Sequence, residues 1–281
     1  SRHQRHSEKR ARVNVFIGKR IVVEDCFVQA PNGKNEQKGV RSERSEKKSA
    51  NQRLVKSGTH PPEFYRKLWN TILGGEVYRD VLVNRKKDGS LYYEDMCITP
   101  LKDDAGRTTH FISTGKDITE RKLAEEALET ARTRQDRTHE AVALIELAIA
   151  LRRQNHNGIA VQHVRQALAI AETLTSRPLL RRALKETGHT CWAFGDLPNA
   201  TDFFQRALQL CEEDGDIPGQ TDAHAGLGAV AADLKDRVRA RTHTARALAL
   251  AEQAEDRNRI AFYASNLANS YFHEKDYVKA R

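Results

Sequence analysis

The sequence predicts two architectures in succession: a small α+β domain built on an antiparallel sheet, then an all-α solenoid of helical repeats. Three observations carry this reading. Between Val77 and Thr114, β-prone runs alternate with turn-forming Asp-Gly and Asp-Asp-Ala-Gly stretches. After residue 140, small residues recur every 40 positions in several phases, the mark of stacked repeats. Between the two lies a stretch rich in Glu, Ala, Lys and Arg with a narrow apolar stripe at helical spacing.

Composition sets the bounds. The chain has 281 residues, 39% of them hydrophobic, a length suited to about two domains. Its formal charge is +9, and Ser1–Ser57 alone carries 15 Lys/Arg against 6 Asp/Glu, so the excess lies in that segment. No apolar run approaches the ~20 residues of a membrane span, and no signal peptide is visible. The four cysteines, at 26, 97, 191 and 211, form no C-x-x-C pair and imply neither zinc nor a disulfide framework. A cytoplasmic setting is the simplest. The expected organisation is a basic, poorly ordered or degenerate segment over 1–50, a sheet domain over 51–118, a helical linker over 119–139 and repeats over 140–281, the last one incomplete. A first residue that is Ser and a last repeat cut at Arg281 suggest a fragment of something longer.

In the N-terminal segment, Val13–Ile17 and Ile21–Val23 are strand-like, and Pro31-Asn32-Gly33 is a turn. Gly39–Ala50 is charged and nearly free of large apolar residues. The basic segment could be read as a nucleic-acid or anionic-membrane arm, but it has no stacking aromatics and no binding motif, so it gives no strong nucleic-acid or membrane signal. In the sheet domain, Val77–Asn84 is a strand, Lys87-Asp88-Gly89 a hairpin turn, and Leu91–Leu101 a second strand with Pro100 at its end. Asp103–Gly106 turns the chain again, and Thr108–Thr114 is a third strand. Asp117-Ile118-Thr119-Glu120 opens a helix with a polar cap and an acidic first turn.

Ordered matches across this stretch identify a resemblance: Arg53-Leu54-Val55-Lys56-Ser57-Gly58, Phe64-Tyr65, Leu68-Trp69, Gly75, Asn84 to Tyr92, Ile98-Thr99-Pro100-Leu101, Asp104, Gly106 and Asp117-Ile118-Thr119-Glu120-Arg121-Lys122. They resemble the C-terminal half of a PAS sensor domain with its PAC motif. The resemblance implies a PAS-like sheet of five antiparallel strands with flanking helices, a role in bacterial signal transduction, and a signalling junction at Asp117, Ile118 and Thr119. It also implies a homodimer through the PAS domain and the following helix, as a coiled coil, although two heptads of stripe are short for self-association.

The pocket occupant is left open. Gln52 stands where photosensing PAS domains carry the flavin-reactive cysteine, so a flavin adduct is rejected. Asn84 matches a flavin-contacting asparagine, Glu94 replaces a second one, and Gly115 replaces a signalling glutamine. Non-covalent FAD or another small ligand remains an alternative, with Asn84 and Glu94 as the pocket residues. Haem would need an axial ligand, for which only His60 and His110 stand in this stretch, and a lone His is more often a packing residue. Asp80 replaces a glycine usual in the family.

The linker stretch Thr119–Arg137 reads as one amphipathic helix with Leu123, Ala127, Leu128 and Ala131 on its apolar side. His139-Glu140 resembles the start of a histidine-kinase phospho-acceptor motif, but Ala141-Val142-Ala143 stands where Arg-Thr-Pro would follow, so an exposed helical His is the expectation. In the repeats, Ala160, Ala200, Ala240 and Ala280 form one series, Ala167, Ala207 and Ala247 a second, and Ala148, Gly188, Gly228 and Ala268 a third. Ala200, Phe204 and Ala207, with Leu227-Gly228 and Tyr271, resemble the tetratricopeptide pattern. The period of 40 resembles variants with a longer second helix. Turns are expected at Asn157-Gly158, Gly195-Asp196 and Lys275-Asp276. Such an array implies a protein or peptide partner on its concave face.

No catalytic arrangement survives inspection. There is no phosphate-cradling glycine loop, no H-E-x-x-H and no nucleophile elbow, Gly226-Leu227-Gly228 belongs to the repeat pattern, and His273-Glu274 lacks a second metal-binding His. The sequence therefore predicts a PAS-like sensor joined to a tetratricopeptide-like scaffold, with no metal site and no chemistry of its own. The alternative is the input half of a sensory enzyme, a diguanylate cyclase or histidine kinase, with its catalytic domain beyond Arg281.

Overall fold

Two units divide the chain between Lys122 and Leu123. The structure, a computed structural model, describes residues 57–273 and three strand segments before them. Those segments are β1 (Arg12–Ile17), β2 (Arg20–Val22) and β3 (Phe27–Gln29). The first unit continues with α1 (Pro62–Leu73), β4 (Tyr78–Arg85), β5 (Leu91–Lys102) and β6 (Thr108–Asp117). Its sheet has the order β1-β6-β5-β4, with every neighbour antiparallel, and β2 and β3 form a separate ribbon. Gln52 and Cys26 lie outside the described residues.

Local chemistry sets these elements. Pro62 opens α1, where its missing N–H is no loss, and Glu63 suits the positive end of the helix. Leu68, Trp69 and Ile72 fall on one side of α1 and pack on alternate residues of the strands: Tyr78 and Leu82 of β4, Met96 and Ile98 of β5, Phe111 of β6. The β4–β5 turn closes with Gly89 at φ +88 and its N–H donating to the Lys86 carbonyl.

Two boundaries differ from expectation. β6 runs on past Thr114 to Asp117, because Gly115, Lys116 and Asp117 pair with Met96, Asp95 and Glu94. Pro100 lies inside β5, which reaches Lys102. The β4 pairing stops at Ile98, and even-numbered residues of β5 turn their N–H groups toward β4, so the proline removes no ladder bond.

The second unit is a run of helices. α2 (Thr119–Thr133) begins before the division and continues into it. Then come α3 (Arg137–Arg153), α4 (Asn157–Thr173), α5 (Arg177–Phe194), α6 (Leu197–Asp214), α7 (Ile217–Asp233), α8 (Arg237–Gln253) and α9 (Arg257–His273). Every 20 residues the backbone turns through a residue with φ between +52° and +91°: Gln135, Asn155, Thr175, Gly195, Gly215, Lys235 and Glu255. The residue after each opens the next helix. Asp136, Asp196, Asp216, Asp236 and Asp256 accept a hydrogen bond from the backbone N–H three residues on, the N-cap arrangement. The 40-residue period is therefore two half-repeats of 20.

Three expectations change as a result. The linker is not one helix to residue 137: Gln135, with φ +56°, breaks it, and His139 falls in the first turn of α3. Asn157-Gly158 is the first turn of α4 rather than the connection before it. The two helices of each pair are equally long, 17 and 17 residues in α3–α4 and 18 and 18 in α5–α6, so the extra length is shared. Lys275-Asp276 and Ala280 lie outside the described residues.

Small residues set the helix spacing. Phe204 of α6 is fully buried, and its ring lies so close to Gly188 of α5 and Gly226 of α7 that a Cβ at either would come within 2.8 Å of it. Ala160, Ala200, Ala167, Ala207 and Ala247 are all buried at helix contacts. Among the described residues, no helix is long and apolar enough to cross a membrane.

Candidate functional site

The sheet face that carries α1 ends in a polar patch. Asn84 points to this face with Leu82 and Tyr78 and is only 4% exposed. Its Nδ2 donates to Glu94 Oε2 at 3.0 Å. A Cβ at position 115 would sit 1.9 Å from Glu94 Oε1, so Gly115 is the residue that makes room for the Glu94 side chain. The two departures from the flavin-binding pattern, at 94 and 115, are thus one steric unit: the carboxylate fills the space that the glycine leaves. Ser113, two residues before Gly115 on the same face, is buried as well. The structure brings Asn84, Glu94 and Gly115 together.

The free edge of β4 is closed by the segment that carries Ser57 and His60, and His60 is the packing residue that a lone His was expected to be. The Val83 N–H donates to His60 Nε2 at 2.7 Å, and Ser57 Oγ donates to the Val83 carbonyl at 2.5 Å. The His60 ring stacks on Phe64 with centroids 3.9 Å apart. Burial lowers the His60 pKa, which keeps the ring neutral and able to accept. His110 lies on the opposite sheet face from Phe111, with its Nδ1 2.9 Å from Thr109 Oγ1. Asp80 accepts a hydrogen bond from the Tyr78 hydroxyl at 3.2 Å and approaches Lys67 at 3.8 Å. Among the described residues, no three His, Cys, Asp or Glu side chains are grouped to hold a metal ion.

At the end of β6 the chain turns into α2 through a compact hydrogen-bonded clamp. The Ile118 N–H donates to the Tyr93 carbonyl at 2.9 Å, and the Tyr93 N–H donates to Thr119 Oγ1 at 3.0 Å. Asp117 Oδ1 accepts from both the Thr119 N–H (2.9 Å) and the Thr119 hydroxyl (2.6 Å). Ile118 is 1% exposed. Asp117, Ile118 and Thr119 therefore act as one unit that ends the sheet and starts the helix. Both backbone polar groups of Tyr93 are satisfied at this junction.

In the second unit, the first helices of successive pairs are joined by a ladder of ion pairs. Arg152 of α3 meets Glu186 of α5 at 3.2 Å, and Glu146 of α3 pairs with Arg182 of α5. Lys185 of α5 and Arg259 of α9 both reach Asp222 of α7, at 3.1 and 3.0 Å. The ladder was invisible as a pattern because the partners lie 34 to 37 residues apart. His189 lies among these groups, edge-on to Phe204, and burial with the nearby Arg152 and Lys185 pushes its pKa down to about 4. His224 and His243 meet Nδ1 to Nδ1 at 3.0 Å. Burial, then His243 and Arg246, push His224 down to about 4. Burial also raises the Cys191 and Cys211 thiols, the latter to about 11, so neither is a ready nucleophile. His139 is exposed, with its Nδ1 2.6 Å from its own N-cap residue Asp136.

Sheet, clamp and repeats define a sensor-type α+β domain followed by a helical repeat array, and comparison with known proteins agrees. Residues 42–118 match the PAS fold. Over 68 residues the chain is 37% identical to a nitrogen fixation regulatory protein of Klebsiella oxytoca, covering 24% of this chain and 14% of that protein. Over 88 residues it is 28% identical to a bacterioopsin transcriptional activator of Halobacterium salinarum, covering 31% of this chain and 13% of that one. The chain thus spans about a seventh of the length of these curated relatives. Among solved structures, it is similar to BtubC of P. vanneervenii, with a TM-score of 0.51 at 22% identity over 57% of this chain and 68% of that one. It is also similar to a signal transduction ATPase with a tetratricopeptide repeat sensor from Pyrococcus horikoshii, with a TM-score of 0.50 at 16% identity over 54% of this chain and 24% of that one. At these identities the likeness establishes the fold of the repeats and nothing of their ligand.

Proposed function

We propose that this chain is a signalling module in which a PAS-type sensor domain governs a tetratricopeptide-like scaffold for a protein or peptide partner. The observation that carries the reading is the succession of the two in one chain: the PAS match ends at residue 118, and the first helix of the second unit follows directly. Two relatives of part of this chain are described as a regulatory protein and a transcriptional activator, which supports a regulatory role. The sensor's occupant, on this reading, is a non-covalently held small molecule contacted by the buried Asn84 carboxamide. Gln52 supplies no thiol for a covalent flavin adduct. The partner is held on the face where the first helices of the pairs meet, and no step of the function is catalytic.

The test is ligand-dependent stabilisation of the purified chain, with FAD as the first probe. A ligand that binds only the folded state raises stability by RT ln(1 + [L]/Kd), about 2.7 kcal/mol at 100 times Kd. FAD should raise the melting temperature of the sheet domain, and Asn84→Ala should remove the shift. An unchanged melting temperature, together with no small molecule released from the chain as purified, would contradict the sensor occupant proposed here.

A further inference from the structure

α2 was expected to be a linker, yet its residues follow the register of the repeats. Counting back 40 positions from the buried residues Val164, Leu168 and Ala171 of α4 gives Ala124, Leu128 and Ala131 of α2, and all three are buried. Ala124 and Leu128 belong to the same core cluster as Leu144 and Ala148 of α3 and Val164 and Ala167 of α4. The turn that ends α2, at Gln135-Asp136, is the first in the 20-residue series of turns. Arg132 of α2 donates to Glu140 of α3, which also receives Arg137, so the end of α2 is tied to the next helix by a nearly buried carboxylate. Leu123 is 55% exposed, and Ala127 is exposed too, so the buried stripe is offset from the one expected.

We infer that α2 is both the exit helix of the sensor and the first half-repeat of the array, so that the Asp117–Thr119 clamp and the packing of the first repeat are energetically coupled. The inference rests on the signalling reading above for its purpose, but not for its physics. It needs no contact between the two units beyond the chain itself, which is continuous through α2. At its start α2 is fixed by the bonds of Ile118 and Thr119 to Tyr93. One turn later its side chains enter the repeat core. Loosening either end leaves fewer interactions to hold the helix, and linkage makes the effect reciprocal. A coiled-coil dimer through the same apolar stripe would compete with this packing, because Ala124 and Leu128 already pack in one core with α3 and α4.

Hydrogen exchange of the full-length chain tests this in both directions. Thr119→Ala removes the hydroxyl that accepts from the Tyr93 N–H and donates to Asp117. It should speed exchange through α2 and the first turn of α3 about fivefold, the equivalent of losing one helix cap, and Thr119→Ser should restore the original rates. Leu128→Ala should speed exchange at the Ile118 and Thr119 amides as well as in α3 and α4, while α7–α9 keep their rates. Leu123→Ala, on the exposed side, should change neither. If Thr119→Ala affects only residues 91–119, or if Leu128→Ala leaves the Ile118 and Thr119 amides unchanged, the coupling does not exist. These rates are independent of any ligand, so a failed FAD experiment would leave the coupling standing, and a failed coupling would leave the sensor occupant untouched.

Discussion

The two units solve the same problem, satisfying backbone and burying apolar surface, by opposite means. In the sheet domain each loose end has its own remedy. Ser57 and His60 close the β4 edge, Thr119 and Ile118 complete Tyr93, and Gly115 admits Glu94. In the array one device recurs: a left-handed residue every 20 positions, followed at five of the seven turns by an Asp that caps the next helix. Damage to the first unit should therefore depend on which remedy is lost. Damage to the second should be graded and local, since each helix pair meets only the adjacent pairs.

The largest effect that would test this difference is in the middle of the array. Phe204→Ala leaves a cavity beside Gly188 and Gly226, and should cost about 3–5 kcal/mol, read from urea unfolding of the helical signal. The sheet domain should unfold at its original denaturant concentration. Gly188→Ala acts by overpacking against the same ring and should cost about 1–3 kcal/mol. Next comes a remedy of the sheet domain. His60→Ala strands the Val83 N–H at the sheet edge and should cost about 1–3 kcal/mol, visible as faster exchange of that amide, with the repeats unaffected.

Acid separates the units by a different route. His189 and His224 have folded-state values of about 4 against an ordinary 6.5, and His243 is also lowered, all three first by burial. The unfolded chain therefore binds more protons below pH 6.5. The stability these neutral rings support is complete above pH 6.5 and is lost progressively as the pH falls to about 4. The sheet domain has one such ring among the described residues, His60, so the array should lose stability more steeply over this range. Equal slopes in a pH series of urea midpoints would contradict that. The smallest effects are the caps: Asp196→Ala, Asp216→Ala and Asp236→Ala should each cost about 1 kcal/mol and add when combined. A much larger loss at one of them would show that the half-repeats are not equivalent.

Much of this was legible in the sequence, and what was missed has a physical pattern. The three strands, their Asp-Gly turns and the 40-residue period follow from local residue chemistry. The half-repeat went unnoticed because its turn position accepts Gln135, Asn155, Thr175, Lys235 and Glu255 as well as glycine, so residue type there is no signal. The capping Asp residues at 136, 196, 216, 236 and 256 were the readable trace. On α2, Ala and Leu at 123, 124, 127, 128 and 131 fill two overlapping stripes, and only packing against α3 and α4 selects the one that is buried. Gly115-Lys116 has weak β-propensity and stays in β6 because Met96 and Asp95 pair with it. The polar site was half visible: Asn84, Glu94 and Gly115 could be marked one by one, but their contact depends on strand register.

The most direct test of this account is native-state hydrogen exchange of the full chain across increasing denaturant, following which segment α2 joins. Two units linked by a helix that belongs to the array predict two separate transitions, with Ala124–Thr133 losing protection together with α3 and α4. If α2 loses protection with β5 and β6, or exchanges early by itself, it is a linker after all and the central claim is wrong.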